Sequence, residues 1–221
     1  MTTILNGSST TRDTPVTGGT AAVHTDPTNT PASPGSPSTI ADPAALGLAG
    51  FALTTFVLSL ANAGLVPGAA AAVVGLALFY GGIAQIAAGM WEFTKGNTFG
   101  ATAFSSYGAF WLSFWWLLTH PETEAAAGAA GVGAFLLAWT IFTAFMTVGA
   151  VKTNGVLLTL FTALTVTFLF LTLGAFTGTT WLHQTGGWLG LVTAAIAWYG
   201  SAAVVINATW KRAVLPVWPR S

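Results

Sequence analysis

Long apolar runs separated by short polar breaks fill the chain from Leu46 to Asn207, and six of them stand out: 46–65, 70–91, 99–118, 131–150, 155–174 and 186–207. Each is near the roughly 20 residues that cross a hydrocarbon core of about 30 Å. None alternates strictly between apolar and polar, so helices are predicted rather than barrel strands. A helix also pairs its backbone polar groups internally, as lipid requires. Polar positions inside the runs recur on one side. In the first run Gly47, Phe51, Thr54, Thr55, Leu58 and Asn62 follow steps of three and four, which stacks a ring, two hydroxyls and an amide along a face. In the second, Leu78, Gly81, Gly82, Gln85, Ala88, Gly89 and Glu92 do the same. Such a face suits close packing, because Gly and Ala admit a neighbouring backbone. It suits a lined groove equally well, since polar groups in membranes turn toward cavities. The stretch Phe79–Phe110 concentrates the pattern: Gln85 on one helix, Ser105, Ser106 and Tyr107 on the next, and a short polar turn between. Two sparsely polar helices side by side point to a solute pathway.

Composition narrows the class. Only 5% of residues are charged and 53% are hydrophobic, with a mean hydropathy of +0.71, against about a quarter charged in a soluble domain. This inventory cannot build a water-facing surface. The absence of cysteine excludes disulfides, thiolate metal sites and thiol catalysis. His, Asp and Glu do not cluster in the spans, and the histidines fall in the first 41 residues or in loops, His183 in a Gly- and Thr-rich outer turn. Hence no catalytic residue, metal or cofactor is expected, nor a nucleic-acid partner.

Residues 1–41 are rich in Thr, Ser, Gly and Pro and read as a disordered tail rather than a signal peptide. A partner-binding role for this tail is the alternative. Residues 42–207 form the six-helix domain, and 208–221 a short basic tail. With six crossings, Arg12, Lys95, Lys152, Lys211, Arg212 and Arg220 share one side, while Glu122 and Glu124 lie opposite. Positive-inside bias then puts both termini in the cytoplasm of a multi-pass protein of the cell membrane. The tryptophans fall mostly near span ends, as interfacial anchors do. Asp42-Pro43 reads as a helix start. Glu92 and Lys95, three apart at a membrane edge, suit an interfacial ion pair; alternatively Glu92 is the proton acceptor of a coupled transporter.

Asp42-Pro43-Ala44-Ala45-Leu46-Gly47-Leu48, followed by Gly50-Phe51 and Thr54-Thr55, resembles the opening motif of the acetate uptake transporter family, the group of bacterial acetate/succinate–proton symporters and fungal ammonia/acetate export proteins. The family pattern is Asn-Pro-Ala-Pro-Leu-Gly-Leu, so the chain departs at Asp42 and Ala45. The likeness continues through FYGGIAQIAAG, EFTKGNTFG and AFSSYGAFW and on to Leu215-Pro216, covering essentially everything from Asp42. It implies an all-α membrane protein, six transmembrane helices around a narrow pore in each protomer, assembled as a homohexamer that moves acetate and related small carboxylates. It also implies a constriction of Phe51, Tyr107 and Leu164. The family's second-helix amide falls on Gln85, and the acidic residue closing that helix on Glu92.

The residues themselves suit such a cargo. No Lys or Arg lies within a span, and an isolated carboxylate in an apolar medium is far too costly. A small acid therefore crosses as the neutral form or with a proton. On this reading Phe51, Tyr107 and Leu164 narrow the pore, Tyr107 also offers its hydroxyl, and Thr54, Thr55, Asn62 and Gln85 line the approaches. Asp42, Pro43, Gly47 and Leu48 form the entrance, and Glu92 couples the proton. A passive acetate or ammonia channel and a non-transporting membrane sensor of small acids remain open alternatives. A hexamer would need close packing between protomers, which small-residue steps such as Gly186 to Gly190 permit.

Overall fold

In a computed structural model residues 40–220 are described; most of the expected disordered tail, residues 1–39, and Ser221 lie outside the described residues. Six helices follow one another: α1 (Ala44–Asn62), α2 (Ala69–Thr94), α3 (Thr98–Thr119), α4 (Pro121–Ala150), α5 (Gly155–Thr177) and α6 (Thr180–Trp210). All but α3 are both long and apolar enough to cross a membrane. At 22 residues α3 has the length, but Thr98, Thr102, Ser105, Ser106, Tyr107 and Ser113 lower its apolarity.

Three helix starts use the same chemistry. Asp42 Oδ1 accepts from the Ala44 N–H (3.0 Å), Asn97 Oδ1 from Gly100 (3.1 Å) and Asn154 Oδ1 from Leu157 (2.9 Å). Each side chain satisfies an N–H that a helix start leaves without an intrahelical partner. At the other end, α4 begins with Pro121 and carries Glu122 and Glu124 in its first turn, where the helix dipole favours negative charge. This helix runs ten residues ahead of its expected start, with a kink at Gly128 (φ 57°, ψ −174°), a conformation that an L side chain rarely adopts. His183, expected in a turn, lies in the first turn of α6 instead.

Consecutive helices pack side by side, and α6 returns to α1, so the six close into a ring; α1 also touches α3. Small residues set the closest approaches. A Cβ on Gly50 would lie 2.6 Å from the Tyr80 carbonyl oxygen, and one on Gly81 2.8 Å from both Thr54 Oγ1 and the Trp111 ring. These contacts fall beside a π-helical turn in α2, Phe79–Ala84. Gly186 packs on Leu171, Gly187 on the Asn62–Ala63 backbone and Gly190 on Ser59. The glycine steps expected to permit packing between protomers are thus occupied within the ring. Hydroxyl pairs link neighbours further along: Thr140 with Thr172 (3.0 Å), Thr147 with Thr165 (2.8 Å) and Thr167 with Thr193 (3.2 Å). The outer surface is apolar, with Phe79, Ile141, Phe145 and Val148 turned outward, the last 73% exposed. A lipid-facing bundle needs this arrangement.

Helix α6 extends past 207 to Trp210, and the residues beyond fold back. Asn207 Oδ1 accepts from the Val214 and Leu215 N–H groups, and its Nδ2 donates to the Leu215 carbonyl. The Gly155 N–H donates to the Val217 and Trp218 carbonyls, Arg220 N–H to Thr153, and Tyr199 OH to Pro216. The segment expected as a basic tail is therefore strapped across the starts of α5 and α6's last turns.

Candidate functional site

A cavity of about 200 Å³ enters the ring from the end where α1, α3 and α5 begin. Its mouth is polar: Asp42, Lys95, Asn97 and Asn154 line it, with Val217 of the C-terminal strap. Its deep end is Phe51, Tyr107 and Leu164, all buried. The three residues of the expected constriction come from α1, α3 and α5 and all line the cavity. The Phe51 and Tyr107 rings meet edge-on at 5.8 Å, and Phe161 stands 6.0 Å from Tyr107.

The Tyr107 hydroxyl is engaged. It lies 2.9 Å from Thr143 Oγ1, which in turn donates to the Trp139 carbonyl at 2.7 Å. Both hydroxyls are satisfied when Tyr107 donates to Thr143 and Thr143 donates to the backbone. The proton expected to meet a passing carboxylate is thus committed to α4, and only the oxygen's remaining lone pair is unused. Thr143 was missed because a threonine in an apolar run reads as an intrahelical donor to the residue four before it.

Of the expected approach residues, Gln85 lines the cavity. It is 1% exposed, and its Oε1 has no hydrogen-bond partner among the described residues. The other expected approach residues lie elsewhere. Thr54 is buried against Gly81 and donates to the Gly50 carbonyl at 2.8 Å. Thr55 is buried with Oγ1 unpartnered among the described residues, and neither threonine lines the cavity. Asn62, near the opposite end of α1, has its Oδ1 3.2 Å from His183 Nε2 and joins α1 to α6. The physical reason is crowding around α1, which packs against α2, α3 and α6: its polar face serves three neighbours, and only Leu48 and Phe51 of its interior reach the cavity.

The entrance motif divides its labour. Asp42 and Leu48 line the cavity, Pro43 supplies the carbonyl for the Gly47 N–H at 3.0 Å, and a Cβ on Gly47 would come within 2.6 Å of the Phe104 ring. Glu92 and Lys95 do not pair. Lys95 is the C-cap of α2 and turns to Asp42, Nζ to Oδ1 2.8 Å. Glu92, on the last turns of the helix proper, points inward and is 0% exposed. Its Oε2 accepts from Asn97 Nδ2 at 2.8 Å, while Oε1 has no partner among the described residues. Asn97 thus caps α3, holds Glu92 and lines the cavity. Its signal was present in the Gly96-Asn97-Thr98 turn, an N-cap signature.

The first turns of α1, α3 and α5 contribute Ala44, Phe99, Gly100, Val156 and Leu157 to the cavity wall. Helix starts carry partial positive charge from their free N–H groups. Lys95, paired with Asp42, adds the one cationic side chain on this cavity wall among the described residues. The arrangement can receive a small anion at its mouth and admits only a narrow, apolar path at its depth.

The model of the GPR1/FUN34/yaaH family matches residues 25–220. The chain is 42% identical over 180 residues to the succinate-acetate/proton symporter SatP of Escherichia coli (strain K12), covering 80% of this chain and 95% of that protein. It is 44% identical over 191 residues to ammonia transport outward protein 2 of Saccharomyces cerevisiae, 81% of this chain and 66% of that one. Acetate permease A of Emericella nidulans is 38% identical over 198 residues, 80% of this chain and 65% of the permease. A solved structure of the bacterial acetate channel SatP superposes with a TM-score of 0.77 at 42% identity, over 80% of this chain and 99% of that one.

Proposed function

This chain belongs to the GPR1/FUN34/yaaH family, and from that premise we propose that it moves acetate and related small carboxylates, succinate among them, across the cytoplasmic membrane together with protons. The observation that carries the reading is the cavity itself: polar at its mouth, about 200 Å³ in volume, and lined at depth by Phe51, Tyr107 and Leu164. An ionised carboxylate in that apolar wall would lose its hydration without a compensating cation. The cargo therefore passes the constriction as the neutral acid, with Gln85 the polar group beside it and Glu92 exchanging the proton through the Asn97 end. Lys95, Lys152, Lys211 and Arg212 lie in the breaks at the mouth end, which supports a cytoplasmic mouth and cytoplasmic termini. A homohexamer rests on the family resemblance. The relatives' names describe transport rather than catalysis, which supports a non-enzymatic role.

The test is labelled acetate flux into proteoliposomes with and without a pH gradient. Carboxylic acids with pKa near 4.3 are mostly ionised at neutral pH, so coupled uptake rises as external pH falls. Flux that ignores the gradient would replace symport by a passive channel, the second reading, which the description of the related solved structure as an acetate channel favours. Ammonium flux without acetate flux would move the cargo to ammonia, and acetate binding without flux would leave a sensor.

A further inference from the structure

Lys95 is the only Lys or Arg lining the cavity among the described residues, and a carboxylate already sits on it. We propose that Lys95 docks the carboxylate of the transported acid at the cavity mouth, and that Asp42 is the chain's own competitor for that place. The proposal deepens the transport reading and rests on it for the identity of the ligand, a small monocarboxylate.

Asp42 Oδ1 lies 2.8 Å from Lys95 Nζ and also accepts the Ala44 N–H at 3.0 Å. One carboxylate oxygen between an ammonium group and the N–H of a helix start is the set of contacts that a bound acetate would need at this spot. The surroundings favour an anion beyond this pair. The starts of α3 and α5 line the same cavity through Phe99, Gly100, Val156 and Leu157; the Gly100 and Leu157 N–H groups are held by Asn97 and Asn154, but the positive ends of both helix dipoles still favour negative charge there. Deeper in, Gln85 lines the same cavity with its acceptor Oε1 unpartnered among the described residues, which suits the O–H of the protonated acid rather than the carboxylate. The cavity is thus polar at two depths with an apolar stretch between. Glu92, the nearest other carboxylate on α2, is held behind Asn97 and does not line the cavity.

The pair is open to exchange. Side chains of Lys95 and Asp42 are 26% and 40% exposed, and pairs this exposed contribute at most about 1 kcal/mol, so the tie costs little to open. Asn at position 42 can still accept the Ala44 N–H, since its amide oxygen accepts as the carboxylate does, and it removes the charge that pairs with Lys95. That makes Asp42→Asn a clean probe.

The experiment measures binding of labelled acetate to the purified full chain alongside flux in proteoliposomes. Asp42→Asn tightens apparent acetate affinity about fivefold, the upper end for an exposed pair. Lys95→Gln weakens affinity by a similar factor, and adding Asp42→Asn to Lys95→Gln gives no further gain. An equal gain in both backgrounds, or no gain in either, overturns the docking role and leaves a tie between α1 and α2 that would register as thermal stability alone. If the wild-type chain binds acetate and shows the Asp42→Asn gain but carries no flux, the transport reading falls and the docking site stands. If it carries flux and the substitution leaves affinity unchanged, the docking site falls and transport stands.

Discussion

Replacing Tyr107 by Phe separates two roles that a pore tyrosine can play. The ring stays, and with it the edge-on contacts to Phe51 and Phe142 at 5.8 and 5.5 Å. What goes is the hydroxyl that donates to Thr143. Thr143 keeps its own donor satisfied at the Trp139 carbonyl, so the change leaves an acceptor lone pair unused rather than a buried donor unpaired. The loss is therefore that of an ordinary net hydrogen bond, about 1 kcal/mol, read as a lowering of Tm by about 2–4 °C for a chain of this size. Acetate flux should stay within about threefold of wild type, since the proton removed never faced the cargo. A hydroxyl that donated to a passing carboxylate would be charge-assisted, about 1.5–3 kcal/mol, and its removal would cut flux by about ten- to a hundredfold. Flux lowered tenfold or more, with Tm unchanged, would refute the assignment of that proton to α4.

Leu164→Ala and Phe51→Ala each cost about 2–5 kcal/mol as buried truncations and should raise butyrate flux relative to acetate; an unchanged ratio in both would reduce them to packing residues. Glu92→Gln should retain acetate exchange in the absence of a gradient and lose gradient-driven accumulation, and accumulation at wild-type level would remove Glu92 from coupling. Gly81→Ala, whose Cβ would meet Thr54 and Trp111 at 2.8 Å, should lower Tm sharply, while Gly75→Ala, with nothing within 4 Å, should be neutral or stabilising; equal effects would contradict the tight seating of the π-helical turn.

Helix number, order and approximate bounds were legible because apolar run length answers directly to membrane thickness, and Asp42 marks a helix start in sequence as it does in space, whereas the same role of Asn97 and Asn154 was passed over. The π-helical turn was not legible, since Phe79–Ala84 contains nothing that an α-helix would refuse. The extension of α4 to Pro121 was missed because Glu122 and Glu124 end the apolar run without ending the helix. Among the site residues, periodicity found faces but could not rank them. On α2 the stripe put Gln85 in the cavity, whereas on α1 the same reasoning sent Thr54 and Thr55 into contacts between helices. Glu92 and Lys95 show the limit of spacing arguments: the backbone stays helical through Lys95, yet Glu92 goes to Asn97 and the long Lys95 side chain to Asp42. Pairing of Lys95 with Asp42 joins residues 53 apart in sequence, and no local pattern announces such a contact.

The C-terminal strap carries a practical consequence for anyone handling the protein. Backbone bonds from Gly155 and Arg220, with the Tyr199–Pro216 bond, hold the last described residues so that Val217 forms part of the cavity rim. A purification tag or fluorescent reporter joined after Arg220 would pull on the vestibule wall itself, whereas a label carried on the outward Glu122–Glu124 turn would report on the molecule without loading its doorway.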